Sequence, residues 1–452
     1  MTPLRQLRHG ATWSFASRVL FGLVTVGVGV VLARLLGPAD LGLYFLFVQV
    51  VALFSLAHCF GLRNSLMKLA GIASAAGDWP AVRRLVGVAL RLFGLASVAL
   101  VALYALAWPL LQGALFKREF GLAVAGLILV VIAARSVEEL ASALLRGAGR
   151  IGDGVMLLGL PREGLFFVTV LGLWLAGREP GIEPVFGIYL VVALGVALAG
   201  AALVWSTVRG RPAVGGPVAA TGLATLVGLS FPMLVQSGAS LVFQVSDLWV
   251  LGFARSSAEV GVYGAAQRLT NLSVFALGVV NLALPPLIAA LHGQGRVREL
   301  QQVARAAATW SAAVAIPVLV VVVLAGGWLL AAIFGPAFAA GATVLTILTL
   351  GQTVNAVAGS PGVILQMIGN HAFLTKLTTV VALGNIAGSV AVVDRFGAEG
   401  VATVTATAIV VQNLAMAAAA YRRAGVLSLP DPRLLTLAAL RRLVRRNGAP
   451  DA

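Results

Sequence analysis

Charge is the first thing this sequence is short of: 11% of its residues are Asp, Glu, Lys or Arg, against about 25% in an ordinary soluble domain. With 60% of the chain hydrophobic, too little polar surface remains to cover a water-facing protein, so lipid has to be the solvent. Cysteine is nearly absent, Cys59 being alone, which excludes a disulfide framework. Four scattered histidines, His9, His58, His292 and His371, form no metal-ligand motif, and no metal or other cofactor is expected. There is no Gly-x-x-x-x-Gly-Lys-Ser/Thr loop, which excludes ATP hydrolysis by that route. The net charge of +16 has no soluble module to carry it, so no nucleic-acid partner is expected.

What the chain has is long apolar runs. A spanning helix needs about 20 mostly apolar residues, and backbone polar groups in hydrocarbon must be bonded within the segment or around a closed barrel. The runs are far longer than barrel strands. They predict an all-α polytopic membrane protein with about twelve transmembrane helices, placed near residues 11–36, 41–62, 82–111, 121–145, 154–176, 184–208, 222–253, 261–291, 304–334, 340–368, 372–393 and 397–421. Arg5 and Arg8 precede the first run with no small-residue cleavage site, the pattern of a retained signal anchor.

Short cytoplasmic loops retain Lys and Arg. Arg63, Lys68, Arg83, Arg84, Arg146, Arg150, Arg209, Arg211, Arg296, Arg298, Arg422 and Arg423 gather in alternate loops, while the loops between hold mixed charges such as Asp40, Lys117, Glu119, Glu179 and Asp394. The basic side is therefore read as cytoplasmic, with both termini there, in a bacterial inner membrane. From Leu434 to Arg446 leucines alternate with arginines, as in an interfacial helix on anionic lipid.

An internal repeat is visible. Asp40-Leu-Gly-Leu-Tyr44 returns as Glu259-Val-Gly-Val-Tyr263, an offset of 219 residues (259 against 40). Gly77 answers Gly295, Phe116 and Phe120 answer Phe334 and Phe338, and Gly149 answers Gly369. The expected organisation is an N-terminal six-helix lobe (1–212), a C-terminal six-helix lobe (213–424) and a basic tail (425–452), with a linker around Arg209–Pro217. Two parallel repeats of this kind occur in transporters that rock around a mid-membrane site.

Ionisable side chains inside spans cost at least about 2.5–3.5 kcal/mol on insertion scales, so each is a functional candidate. These are Arg18 in the first span, Arg135 with Glu138 and Glu139 in the fourth, Arg162 with Glu163 in the fifth, Asp247 in the seventh, Arg268 in the eighth and Lys376 in the eleventh. A guanidinium answers a diphosphate with charge and paired hydrogen bonds. Sugar hydroxyls need polar partners, for which Gln49 and Asn271 are the first candidates, with Gln236, Gln244, Asn281, Gln352, Asn355 and Asn385 behind them. Trp13 and Trp249 could stack on sugar rings or anchor at the interface. Arg135 and Glu138 at i, i+3 could instead neutralise each other, and Arg18 and Arg162 could snorkel to the headgroups. Prolines 109, 161, 232, 285, 286, 317 and 361 interrupt helical bonding in or near spans.

Ala33-Arg-Leu-Leu-Gly-Pro-Ala-Asp-Leu-Gly-Leu-Tyr44, Tyr263-Gly-Ala-Ala-Gln-Arg-Leu269, Gly278-Val and Leu284-Pro-Pro-Leu287 together resemble the polysaccharide-biosynthesis (Wzx-type) flippases of the multidrug/oligosaccharidyl-lipid/polysaccharide superfamily. The resemblance covers nearly the whole chain. It implies a MATE-like fold and transport rather than enzymatic chemistry: a polyprenyl-diphosphate-linked oligosaccharide moved between leaflets for O-antigen or exopolysaccharide synthesis, with membrane lipids and a polysaccharide polymerase or glycosyltransferase as partners. The opening helix around Arg18, and the position of Arg268, are similar to the lipid II flippase, which implicates both arginines in gripping the lipid diphosphate. Where that flippase has a further arginine in the first span, this chain has Val24, Thr25 and Val26, which disfavours a peptidoglycan precursor as cargo. The first span also lacks the acid of cation-coupled drug exporters. An exporter of drugs or small metabolites is the alternative, and a membrane glycosyltransferase or polymerase a more distant one.

Overall fold

The computed structural model describes residues 3–209 and 223–435, with side chains placed from Leu20 onward apart from residues 223–224, 276, 279, 282–283 and 435. The linker 210–222 and the tail 436–452 lie outside the described residues, so the interfacial helix expected there is not among them. Within the described residues there are helices and no strands.

The helices are α1 (Pro3–Cys59), α2 (Leu62–Ala75), α3 (Trp79–Leu110) with a π turn (Leu111–Phe116), α4 (Leu122–Gly147), α5 (Ile151–Leu157), α6 (Leu160–Leu175) and α7 (Ile182–Arg209). After the linker come α8 (Leu223–Ala254), α9 (Ser257–Ser273), α10 (Phe275–Gly293), α11 (Val297–Phe334), α12 (Ala342–Ala358), α13 (Pro361–Met367) and α14 (His371–Ala424). Among the described residues, eight helical stretches are long and apolar enough to cross a membrane. Their surfaces are inside-out: Leu106 and Leu324 are 80% exposed, and Leu90, Val98, Leu122 and Trp328 join them. Apolar surface on that scale belongs in lipid.

Two of the stretches hold two predicted spans each. α1 would be roughly 85 Å long as one rod, at 1.5 Å per residue, against a hydrocarbon core of about 30 Å. It is interrupted at Gly37 (φ 72°), just before Pro38, and α14 is likewise interrupted at Gly397 (φ 56°). Other predicted spans are broken into two pieces. Phe60 and Gly61 separate α1 from α2, Gly159 (φ 83°) separates α5 from α6, and Gly359 (φ 75°) with Ser360 separates α12 from α13. Pro161 and Pro361 sit in the first turns of α6 and α13, where a missing N–H costs nothing. Pro109 stays within α3 and is followed by the π turn. Arg63 and Lys68, expected in a loop, lie on α2, a separate helix that begins past the Gly61 break.

The repeat is written in the backbone. Gly77 donates to the Ser74 carbonyl and Asp78 to Ala73; 218 residues on, Gly295 donates to His292 and Arg296 to Leu291. Gly149 with Arg150, and Gly369 with Asn370, close α4 and α13 by the same pair of bonds. Each is a Schellman cap, which needs a left-handed residue, and all four glycines have φ between 69° and 85°.

Packing divides the chain into two compact units: residues 1–245 with 256–261, and residues 246–255 with 262–452. In the first, α4 packs on α7, α2 and α1, and α1 on α6, around Tyr44, Phe47, Phe166, Phe186 and Tyr189. In the second, α11, α12 and α14 form the centre, and Ile288, Leu300, Ile364 and Leu365 a buried cluster at its side.

Candidate functional site

Among the described residues each unit buries intramembrane charge at one place, and the two places are built differently. In the first unit the site grows from α4, whose Arg135, Glu138 and Glu139 fall on neighbouring positions of the helix surface. The i, i+3 pairing of Arg135 with Glu138 does not form. Arg135 pairs with Glu139 (Nε–Oε1 3.6 Å), one turn on, and Glu139 also meets Arg63 of α2 at 3.8 Å. Glu138 instead takes Arg162 of α6, together with the Gly159 N–H at 2.8 Å.

Arg162 does not snorkel. Its side chain is 3% exposed and lies between Glu138 and Glu163, with Nη2 3.3 Å from the latter. The break at Gly159 makes this possible: it frees a backbone N–H for Glu138 and starts α6 so that Arg162 enters the interior three residues later. Tyr189 of α7 donates to Glu163 at 3.2 Å, and its ring lies beneath the Arg162 guanidinium at 5.8 Å. Arg135 is within electrostatic reach of Tyr189, and Arg146 of Arg63.

Three arginines and three glutamates thus form one cluster of two sets of ion pairs with no pair between the sets among the described residues, and the cluster is not an even one. Its interior half holds Arg162 against two glutamates, all nearly sealed. Its outer half holds Arg63 (36% exposed) and Arg135 (23%) against Glu139 alone. The accessible end therefore has an excess of positive charge, and the Arg135 Nε has no hydrogen-bond partner.

In the second unit the centre is Asp247 on α8, 1% exposed. Its Oδ1 accepts from the Leu248 N–H at 2.8 Å; its Oδ2 accepts from Tyr263 Oη at 3.0 Å and Gln267 Nε2 at 2.8 Å. Tyr263 and Gln267 are four apart on α9 and so share a face. Among the described residues Asp247 makes no ion pair. In the same unit Asn385 of α14 donates to Ser246, the neighbour of Asp247, at 3.0 Å. The Asn385 Oδ1 and Ser389 Oγ atoms are buried without hydrogen-bond partners. A carboxylate with unpartnered oxygens in neighbouring positions is a donor set for a proton or a small hard cation. No cluster of three or more His, Cys, Asp or Glu suited to a metal occurs among the described residues.

The other candidates are dispersed. Gln49 is half-buried on α1 with its Oε1 unpartnered. Arg268 is half-buried on α9, one residue beyond Gln267. Asn271 is exposed a turn further, and Lys376 is exposed on α14. The side chains of Arg18 and Trp13 lie outside the described residues. Arg63, Tyr189, Tyr263 and Gln267 were missed as site residues from sequence, although the i, i+4 spacing of Tyr263 and Gln267 within a repeated motif was a usable signal.

Comparison with known proteins places this architecture. The family described as Polysaccharide biosynthesis protein matches residues 7–292, and the family described as MatE matches residues 229–391. A curated relative, the probable low-salt glycan biosynthesis flippase Agl15 of Haloferax volcanii, is 21% identical over 387 residues, covering 84% of this chain and 76% of that protein. Among solved structures, the lipid II flippase MurJ in an inward closed conformation aligns over 98% of this chain and 93% of its own at 15% identity, TM-score 0.67. An inward-facing multidrug resistance MATE family transporter aligns over 92% and 98% at 16% identity, TM-score 0.69.

Proposed function

The chain belongs to the polysaccharide biosynthesis protein family, within the multidrug/oligosaccharidyl-lipid/polysaccharide superfamily of membrane transporters and flippases, and from that premise we propose that its cargo is a polyprenyl-diphosphate-linked oligosaccharide. The protein carries this lipid from the cytoplasmic to the outer leaflet of the bacterial inner membrane, by alternating access of lobes 1–212 and 213–424, for surface polysaccharide synthesis. A polymerase or glycosyltransferase receives the product.

The observation that carries this reading is the positive excess at the accessible end of the α4 network, Arg63 and Arg135 against Glu139. A cargo with a diphosphate must bring negative charge into hydrocarbon, and guanidiniums already placed there can compensate it. Arg18, Arg268 and Lys376 are assigned to the same task, while Gln49 and Asn271 serve sugar hydroxyls. The Arg162–Glu138–Glu163 interior holds α4, α6 and α7 together and leaves Arg135 to the cargo. Depletion of the protein tests the assignment. Lipid-linked oligosaccharide should then accumulate where a lectin or glycosidase cannot reach it in sealed spheroplasts. Normal outward appearance of the glycan, with no redundant flippase present, would refute it.

A second reading rests on Asp247. A lone buried carboxylate inside the MatE-matched segment fits cation-coupled export of drugs or small metabolites. Resistance to toxic organic cations conferred by the chain, and lost with Asp247→Asn, would favour export over flipping.

A further inference from the structure

On the first unit, α3, α4 and α7 enclose a groove of about 750 Å³, within the roughly 300–1,000 Å³ typical of small-molecule sites. Val86, Leu90, Phe93, Leu140, Leu144 and Val204 form its walls, and none of its lining residues is acidic. Polar groups converge at one end only. There Arg83 donates through Nε to the Val208 carbonyl at 3.2 Å, and Arg209 lies 5.6 Å above the ring of Trp205. Gly87 forms part of the lining, and a Cβ added to it would meet nothing within 4 Å.

We propose that this groove holds an anionic diacyl phospholipid, its acyl chains against the apolar walls and its phosphate between Arg83 and Arg209. Two positioned guanidiniums and an amphipathic indole at the mouth of a slot without carboxylates match the chemistry of such a headgroup. The groove also lies away from the charge network. Val137, Leu140, Ala141 and Leu144 line it, whereas Arg135 and Glu139 project from the opposite side of α4, about half a turn around at 3.6 residues per turn. A molecule seated here does not reach the guanidiniums assigned to the cargo, so the occupant is a resident lipid. This inference needs the membrane placement and not the cargo assignment, so failure of the flipping assay leaves it standing.

The test is native mass spectrometry of the delipidated full-length protein titrated with phosphatidylglycerol or phosphatidylcholine. Phosphatidylglycerol should be retained preferentially, and Arg83→Gln/Arg209→Gln should weaken it about thirtyfold. Gly87→Phe, which fills the slot with both arginines intact, should lower its occupancy too. Arg296→Gln/Arg298→Gln should behave as the parent. Equal retention of the two lipids, unchanged binding in the first two variants, or displacement by inorganic phosphate or by a polyprenyl diphosphate would each overturn the proposal. Should the arginine variant fail to fold, brominated phosphatidylglycerol should quench parental tryptophan fluorescence more than brominated phosphatidylcholine does. Trp205→Phe should remove the excess; quenching that survives it contradicts the assignment.

Discussion

Both units bury carboxylates where water does not reach, and they compensate them by opposite means. In the first, Glu138 and Glu163 are answered by the Arg162 guanidinium, brought in by the helix break at Gly159. In the second, Asp247 is answered by an N–H, a phenol and an amide, with no cation among the described residues. A fixed counter-ion makes a rigid site, because leaving either partner alone in the interior is costly. Neutral donors hold a carboxylate without discharging it, so that site can gain and lose a positive charge. The difference separates a structural strut from a place where coupling can occur, although the helical frames around the two follow one repeated plan.

Removing the strut should have the largest effect. Arg162→Ala leaves two buried carboxylates without a cation, and a loss of about 3–5 kcal/mol is expected, read as failure to purify or a much lower thermal midpoint in detergent. Replacing the whole group, Arg162→Met with Glu138→Gln and Glu163→Gln, should recover most of it. If the single variant is as stable as the parent, the matched-charge account of the first unit is broken.

Gly42→Ala comes next. A Cβ there would overlap the backbone carbonyl of Ser257, as one on Gly261 would overlap that of Pro38. Backbone must shift in either case, at a cost of about 1–3 kcal/mol. Gly149→Ala and Gly369→Ala sharpen the repeat itself: each forces a side chain into the left-handed region with open space around it, so the two should lose the same amount, roughly 1 kcal/mol. Unequal losses would show that the matching caps carry different loads.

Asp247→Asn should be the mildest for stability and severe for function. An amide of the same shape keeps most of the hydrogen bonds, and the thermal midpoint should shift by no more than about 1 kcal/mol allows, while transport falls at least tenfold. Retained transport would remove Asp247 from the coupling step.

Much of this frame is legible in the sequence, because burial of the backbone in lipid leaves the chain few choices: long apolar runs must be helices, and glycines at a fixed offset mark the caps that end them. Gly77 with Gly295 and Gly149 with Gly369 could be paired by inspection. The site was less readable. Arg135 can reach i+3 or i+4 with equal ease, and only packing decides that Glu138 turns to Arg162 and leaves Arg135 to Glu139. Arg63 looked like a loop residue because its surroundings are less apolar, yet α2 continues past the Gly61 break and brings it beside α4. Asp247 was legible as a buried acid, but its donors sit on another helix, and spacing along a sequence does not show which helices adjoin.

The most direct measurement is flipping of a lipid-linked oligosaccharide by purified protein in proteoliposomes, scored by glycosidase access, with the parent compared with Arg63→Gln/Arg135→Gln. Adding Glu139→Gln to this variant removes the carboxylate that loss of the two arginines would otherwise leave unpaired, so the variant should fold and insert normally. The account predicts that it flips at least tenfold more slowly. Flipping at the parental rate by a normally folded variant would contradict the claim that the positive excess on α4 and α2 grips the diphosphate.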